Sequence, residues 1–429
     1  MRHRREILAL SIPAIVSNLT TPLLGLVDVA ITGHLGAAVY IAAIAVGGSM
    51  FNMLYWLFNF LRMGSSGITA QAFGAGNTGQ CHAVLFRASA IGFAIGLAMI
   101  LLSAPLGEAI LRFMDADGAT EALARRYFGI CIWGAPAVML SYAFAGWFIG
   151  MQDSRSAMWT AIATNVVNIG VSLTLVLGLG WKIEGVAAGT TAAQWAGAMI
   201  GVIIVIRKYR PAPLPLNEVF NTGELTRFFR LNADIFLRTC CLVAVTLWFT
   251  HAGALQGPEI LAANAILLQL FMLFSFFMDG FAYAGEALAG KFTGAMRSDS
   301  LRSLIRDLML TGTVCAVVFS AVYIIAGDWF VAIIADNHDV VSTARKYVVW
   351  AAVIPLCGFG AFVWDGIFVG LTATRSMLLS MAVAVAVFFI LYFSLIHRLG
   401  NNALWLAFNI YLLVRAAMQW LLWNKRRLP

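Results

Sequence analysis

The sequence has few charged residues for its length. Asp, Glu, Lys and Arg together make up 11% of the 429 residues, whereas hydrophobic residues make up 61%. A soluble protein carries roughly 25% charged residues, because its surface must be solvated. The scarcity of charge therefore excludes an ordinary soluble domain and indicates a surface that faces mostly hydrocarbon. The net charge of +8 does not require nucleic-acid binding, because cytoplasmic loops of membrane proteins collect Lys and Arg.

The sequence also lacks the usual motifs of enzymes and metal sites. Its six cysteines show no CxxC or other metal-ligand spacing, and no HExxH, GxSxG or Walker A sequence is present. The segment from Gly74 to Gly79 fits GxGxxG. It falls between two apolar runs, without a strand-helix-strand unit around it, and is interpreted as a turn. We expect neither an enzyme nor a bound cofactor or metal.

Long apolar runs between charged or Gly/Pro-rich breaks predict twelve transmembrane helices, since a spanning helix needs about 20 apolar residues. The predicted spans are Leu8–Ile31, Ile41–Met63, Val84–Leu106, Phe128–Ile149, Met158–Leu179, Gly185–Ile206, Ile235–Gly253, Ile260–Tyr283, Leu304–Ile325, Tyr347–Val369, Met377–Ile396 and Ala403–Trp423. The longest polar break divides them into two groups of six. We predict an N-terminal six-helix lobe (1–206), a cytoplasmic linker (207–230) and a C-terminal six-helix lobe (231–429).

An internal repeat supports two related lobes. Gly146-x-x-x-Gly150 recurs as Gly366-x-x-x-Gly370, with Arg155-Ser156 recurring as Arg375-Ser376, at a shift of 220. A second match, at a shift of 216, pairs Gly64 and Gly74 with Gly280 and Gly290. Because six spans is an even number, both lobes enter the membrane in the same sense. This predicts a parallel repeat with a pseudo-two-fold axis along the membrane normal, which commonly builds a central cavity.

The distribution of charge predicts the orientation. With the N-terminus inside, most Lys and Arg residues fall in cytoplasmic segments, and the external segments are acidic. The positive-inside rule therefore favours cytoplasmic N- and C-termini. We expect a multi-pass protein of the bacterial inner membrane.

Acidic residues inside the spans are the first candidates for function, because an ionised Asp at a helix centre costs roughly 2.5–3.5 kcal/mol. Asp28 lies in the first span, which also contains Pro13 and Pro22. Proline removes a helical hydrogen bond, so this helix is expected to bend. A carboxyl that gains and loses a proton beside a bendable helix would act as a coupling switch. The alternative is a carboxylate at the membrane surface, satisfied by water or a polar neighbour.

Polar residues in the fifth and sixth spans form a second candidate. Asn165, Asn168 and Ser172 have spacings of three and four, which align them roughly on one helix face. Thr190 and Thr191 could complete a polar patch. The alternative is hydrogen bonding between helices, which is common for Asn and Thr in membranes.

The second half contains a further group of charges. Asp234 and Arg238 are spaced as an intrahelical ion pair. Asp279, Glu286 and Asp365 could form a second acidic site or a gate. The alternative is structural pairing of these acids with Arg238 or Lys291.

Several longer motifs are similar to those of a known family. They are Asn232–Thr239, Met278–Gly290, Trp364–Arg375, Val27-Asp28 with Gly33-His-Leu-Gly36, and Gly134-Ala-Pro136 with Gly146–Gly150. Together they resemble the DinF branch of the MATE (multidrug and toxic compound extrusion) family. The resemblance covers nearly the whole chain. It implies two six-helix lobes that form a V and expel drugs in exchange for protons or Na⁺.

The resemblance also assigns roles. Asp28 matches the coupling acid of related proteins, and Asn168 and Thr190 match residues that help surround it. Ser172 stands where DinF-type relatives often carry a second carboxylate, and a hard cation prefers several charged oxygens. We therefore favour H⁺ over Na⁺ as the coupling ion. Asp365 matches an acid implicated in the second lobe of other branches, so coupling there stays open.

The leading hypothesis is a cation-coupled antiporter that exports amphipathic, often cationic, organic compounds. Its expected partners are small organic substrates and the lipid bilayer, without nucleic acid or an obligate protein partner. A lipid-linked precursor flippase of a related superfamily is the alternative, and it would need a strongly basic lateral groove. The basic residues expected within or at the edge of the spans are only Arg62, Arg87, Arg238 and Arg415.

Overall fold

The computed structural model describes residues 3–33, 38–114, 118–212, 214–334 and 337–425, and within helix α1 it describes Asp28 by its backbone alone. These ranges are almost entirely helical and contain no strand. The α-helices are α1 (Arg4–Gly33), α2 (Ala38–Leu57), α3 (Phe60–Gly74), α4 (Thr78–Leu101), α5 (Ser103–Met114), α6 (Gly118–Cys131), α7 (Ala135–Gly150), α8 (Ser154–Leu173), α9 (Ile183–Ile204), α10 (Leu216–Val219), α11 (Thr222–Ala254), α12 (Pro258–Gly294), α13 (Ser298–Ile334), α14 (His338–Gly370), α15 (Thr374–Leu399) and α16 (Asn401–Asn424). The predicted all-α polytopic class is confirmed.

The helices reproduce the predicted set of spans. Eleven helical stretches in the described ranges are long and apolar enough to cross a membrane, and they correspond in order to the second through twelfth predicted spans. Helix α1 contains 30 residues and is about 45 Å long at 1.5 Å per residue. It is therefore long enough to form the first span, and it continues through Pro13 and Pro22 without interruption.

The second predicted span and the predicted linker differ from the structure, because the composition of a run does not mark where a helix begins or ends. The run predicted as Ile41–Met63 is divided by a turn at Phe58 and Asn59, where the Asn59 side chain accepts a hydrogen bond from Arg62 Nε at 3.2 Å. Helix α3 then continues to Gly74 through small and polar residues that are buried in protein rather than lipid. The predicted linker is also largely helical, since it contains α10 and the first turns of α11.

The described chain divides into two compact units. One contains Val16–Phe228, called here the N-terminal unit, and the other contains Met1–Ile15 with Phe229–Pro429, called the C-terminal unit. The N-terminal unit extends to Phe228, beyond the predicted end at 206, and it begins at Val16 rather than at residue 1. The reason lies in the contacts of the first helix: the backbone N–H of His3 donates to Asp307 Oδ2 at 3.0 Å, and Lys291 Nζ lies 3.5 Å from Glu6 Oε2.

The repeat is visible in the packing of each unit. In the N-terminal unit, a Cβ added to Gly146 would lie 2.2 Å from the carbonyl oxygen of Arg62, and one at Gly150 would lie 2.8 Å from that of Ser66. In the C-terminal unit, a Cβ added to Gly366 would lie 2.1 Å from the carbonyl oxygen of Ala282, and one at Gly370 would lie 2.4 Å from that of Glu286. Both partners of each contact are shifted by 220 residues. Small residues that let helix backbones approach this closely are typical of membrane bundles.

Candidate functional site

The predicted polar residues of α8 and α9 form one connected cluster in the N-terminal unit. Asn168 Nδ2 donates to Thr190 Oγ1 at 3.1 Å, and Ser172 Oγ approaches Asn168 Oδ1 at 3.5 Å. Asn168 is 2% exposed and Ser172 is fully buried. The three side chains are uncharged, so the cluster offers hydroxyl and amide oxygens but no carboxylate of its own.

Gly189 makes this cluster possible. A Cβ at this position would lie 2.2 Å from Ser172 Oγ and 2.9 Å from the Ser172 backbone. Any larger residue at 189 would therefore push α9 away from α8 and separate Thr190 from Asn168. The next threonine, Thr191, faces elsewhere and donates to the carbonyl oxygens of Ala187 at 2.9 Å and Ile130 at 3.2 Å.

Asp28 lies in helix α1, but its side chain is outside the described part of the chain. Its proximity to Asn168 and Thr190 therefore stays a prediction. Asn165, the third polar residue of the α8 face, lines a cavity.

This cavity, of about 230 Å³, lies among α7, α8 and α9. Half of its twelve lining residues are polar, namely Ser141, Tyr142, Thr160, Thr164, Asn165 and Gln194, and the other half are apolar. Its lining includes no Asp, Glu, Lys or Arg. Gln194 Oε1 is buried there without a hydrogen-bond partner among the described residues. A ligand in this cavity would meet an amphipathic, uncharged surface.

The predicted second-lobe acid Asp365 is paired with arginine. Its Oδ2 accepts hydrogen bonds from Arg238 and from Arg415 at 2.6 Å, and its Oδ1 accepts from Gln419 at 2.6 Å. The guanidinium of Arg415 lies 5.4 Å from the centre of the Tyr411 ring. The sequence suggested Arg238 or Lys291 as a structural partner of Asp365, and in the structure Asp365 pairs with Arg238. We call these four residues, Arg238, Asp365, Arg415 and Gln419, the arginine cluster.

The other acids of the second half have different surroundings. The spacing of Asp234 and Arg238 suggests an ion pair, but the structure gives each residue another partner. Arg238 pairs with Asp365, and Asp234 accepts a hydrogen bond from Thr374 Oγ1 at 2.9 Å. Glu286 is 2% exposed on α12, and Asp279 is partly exposed one heptad earlier on the same helix. Lys291 pairs with Glu6. In the described ranges no group of three or more His, Cys, Asp and Glu residues could hold a metal ion.

Sequence reasoning missed Gln419 and treated Arg415 only as an unexplained charge. Both lie on the last helix, four residues apart, and so on one helix face. That spacing in an apolar helix was the available signal. The spacing did not identify Asp365 as the partner, because α11, α14 and α16 are separate helices that only tertiary packing brings together.

The comparisons with known proteins agree over nearly the whole chain. A family model described as MatE matches residues 13–174 and 234–394. The chain is 34% identical over 418 residues to DNA damage-inducible protein F of Escherichia coli K12, covering 97% of this chain and 91% of that protein. It is 24% identical over 396 residues to the probable multidrug resistance protein NorM of Photorhabdus laumondii, covering 88% of this chain and 84% of that protein. Among solved structures, a MOP superfamily transporter of Pyrococcus furiosus, with a binding pocket of reversed polarity, has a TM-score of 0.88 at 17% identity, covering 98% of this chain and 94% of that one.

Proposed function

Because the chain belongs to the MatE family of membrane transporters, we propose that it exports amphipathic, often cationic, organic compounds in exchange for protons. The resemblance to the DinF branch is confirmed, and so is the prediction of a transporter rather than an enzyme. We also propose that the protein lies in the bacterial inner membrane with both termini in the cytoplasm. The bias of Lys and Arg supports the orientation.

The observation that carries the proton assignment is the uncharged character of the Asn168–Thr190–Ser172 cluster. Sodium is a hard cation and prefers several oxygen ligands, among them carboxylates. This cluster supplies neutral oxygens, so a carboxylate next to it would act as a lone acid. A lone acid in an apolar span is suited to binding and releasing one proton. We assign that role to Asp28, with Asn168 and Thr190 as its hydrogen-bonding surroundings.

The cavity among α7, α8 and α9 supports the class of substrate. Ligand sites are typically apolar with a small number of polar groups that fix orientation. Half of the lining residues of this cavity are polar, a larger share than usual, and they include the amide groups of Asn165 and Gln194, so the cavity suits an amphipathic compound. The multidrug name of the NorM relative points in the same direction.

The flippase alternative is not favoured by the arginines that it would require. Arg238 and Arg415 are bound to Asp365. Arg87 Nε donates to the carbonyl oxygen of Val219 at 2.7 Å, which ties it to the segment before α11. Arg87, Arg238 and Arg415 are all buried, so none of them lines an open lateral groove.

The test is dye transport in everted membrane vesicles under an imposed pH gradient or an imposed Na⁺ gradient. We expect the wild-type protein to move a cationic dye such as ethidium under the pH gradient, with no added effect of Na⁺. Asp28→Asn should reduce transport to the level of vesicles without the protein, because the only proposed proton-binding group is lost. A proton crossing 100 mV contributes about 2.3 kcal/mol, which is lost with it.

Asp299→Asn is the matched control, because it removes an exposed acid from the start of α13. It should transport like the wild type, and all variants should be present in the membrane in equal amounts. Undiminished transport by Asp28→Asn would reject the coupling role. Transport driven by Na⁺ alone would reject the choice of ion.

A further inference from the structure

The arginine cluster of the C-terminal unit contains one more positive charge than it can neutralise itself. Arg238 and Arg415 each carry one positive charge, and both are paired with the same carboxylate of Asp365. The fourth member, Gln419, is neutral. The group therefore has a net charge of +1. All four side chains are at least nine-tenths buried: Arg238 is 8% exposed, Asp365 6%, Arg415 3% and Gln419 1%.

A buried charge without compensation is unfavourable, because the protein interior solvates it far less than water does. Arginine cannot remove the excess by losing a proton, since its pKa is too high. A negative group in contact with the cluster would therefore stabilise it. Within the cluster, the single carboxylate is already shared by two guanidiniums and a carboxamide.

The cluster also has unused hydrogen-bonding capacity. Two buried atoms of the cluster, the acceptor Gln419 Oε1 and the donor Arg238 Nε–H, have no hydrogen-bond partner among the described residues. This N–H lies on the same edge of the guanidinium as Nη2, the edge that binds carboxylates in the bidentate mode. Arg238 is the most exposed member of the cluster, so the side chain that carries the unused donor is also the one least enclosed by protein.

From the excess charge and the unused donor, we propose that the arginine cluster is an anion-binding site. Its ligand is a monovalent anion that accepts hydrogen bonds from Arg238 Nε, either the carboxylate of an organic solute or a halide. The bound anion brings the net charge of the cluster to zero. This site lies in a different unit from the Asn168–Thr190–Ser172 cluster and takes a ligand of opposite charge. The inference goes beyond the proposed export function and does not require it.

The test uses the full-length protein in lipid nanodiscs with HEPES as the only other anion. The thermal unfolding midpoint is measured while potassium acetate or potassium chloride is added. A ligand that binds the folded state raises this midpoint in a saturable way. Saturation by acetate at lower concentration than by chloride identifies a carboxylate site, and the reverse order identifies a halide site. The absence of a saturable rise with either anion would overturn the proposal.

Two variants change the charge of the cluster in opposite directions. Arg238→Gln leaves the Arg415–Asp365 pair, with a net charge of zero, and should fold while its anion affinity falls roughly tenfold or more. Asp365→Asn raises the net charge to +2 and should bind the anion more tightly than the wild type. Arg112→Gln is the control, because it also removes a positive charge, from an exposed pair with Glu108, and should leave the affinity unchanged.

A purely structural cluster would give a different pattern. Both cluster variants would then lower the unfolding midpoint by amounts that do not depend on the anion. That pattern, or an unchanged affinity in Arg238→Gln, would refute the anion site. If Asp365→Asn does not fold, the comparison of Arg238→Gln with Arg112→Gln decides the question alone. Because no gradient or substrate is used, failure here leaves the export proposal untouched.

Discussion

Replacing the repeated glycines by alanine tests the packing on which both units depend. A Cβ on Gly146 would lie 2.2 Å from the carbonyl oxygen of Arg62, and one on Gly366 would lie 2.1 Å from that of Ala282. Ordinary contacts of a Cβ begin at 3.4 Å, so the facing backbones must separate by 1.2–1.3 Å. Overpacking of this kind typically costs about 1–3 kcal/mol. Backbone oxygens on a helix cannot rotate away, so we expect the upper end of that range for both variants.

The assay is thermal unfolding in detergent, followed by the fraction of protein that remains monodisperse after heating. Gly170→Ala is the matched control, because a Cβ at Gly170 meets no atom within 4 Å on the exposed face of α8. Alanine favours a helix over glycine by about 1 kcal/mol, so this variant should be as stable as the wild type or slightly more stable. Gly146→Ala or Gly366→Ala with wild-type stability would show that the close helix contacts are wrong.

Two further changes test contacts at the ends of helices in the N-terminal unit. Asp153 is partly buried, which raises the pKa of its carboxyl, but hydrogen bonds from Lys208, Ser156 and Tyr209 outweigh burial and hold the pKa below its usual range. A depressed pKa adds stability that is present above the unfolded pKa and is lost as the pH falls through the folded pKa. The thermal unfolding midpoint of the wild type should therefore fall more steeply on acidification than that of Asp153→Asn. Parallel curves of midpoint against pH for the two proteins would contradict this. Arg87 donates hydrogen bonds to the carbonyl oxygens of Val219 and Glu218. Arg87→Gln should therefore lower the free energy of unfolding by about 1–3 kcal/mol and speed proteolysis between residues 210 and 222. An unchanged cleavage rate would show that Arg87 does not restrain this segment.

The number of spans and the helical class could be predicted because both depend on apolar length alone. The polar face of α8 could also be predicted, since the spacing of Asn168 and Ser172 fixes their relative direction on one helix. Their contact with Thr190 depends on how closely α9 approaches α8. That distance is set by Gly189, whose role has no signature in hydropathy.

The sequence identifies the charged residues in the spans of the second half, but it does not identify their partners. Asp234 and Arg238 fit the spacing of an ion pair along one helix. The actual partners of Arg238 and Asp365 come from α11, α14 and α16, which only tertiary packing brings together. The break at Asn59 was hidden for a related reason, because an apolar sequence remains apolar through a turn.

The two units share their packing but not their chemistry at equivalent positions. At the shift of 220 that relates the glycine contacts, Asn168 and Ser172 correspond to Phe388 and Tyr392 on α15. In place of an amide and a hydroxyl, the Phe388 ring stacks with the Tyr392 ring at a centroid distance of 6.4 Å, and it meets the Tyr411 ring edge-on at 6.2 Å.

In the reverse direction, the buried acid Asp365 corresponds to Ala145 on α7, which lines the uncharged cavity. Close helix packing tolerates only small residues at the contact, so both copies keep the glycines. The surrounding positions face no such steric limit and have diverged. The proposed proton-coupling site of the N-terminal unit and the arginine cluster of the C-terminal unit are therefore compatible with one duplicated scaffold. On this reasoning, placing Asn and Ser at positions 388 and 392 would not create a second coupling site, because the C-terminal unit already has a positive cluster that disfavours a proton.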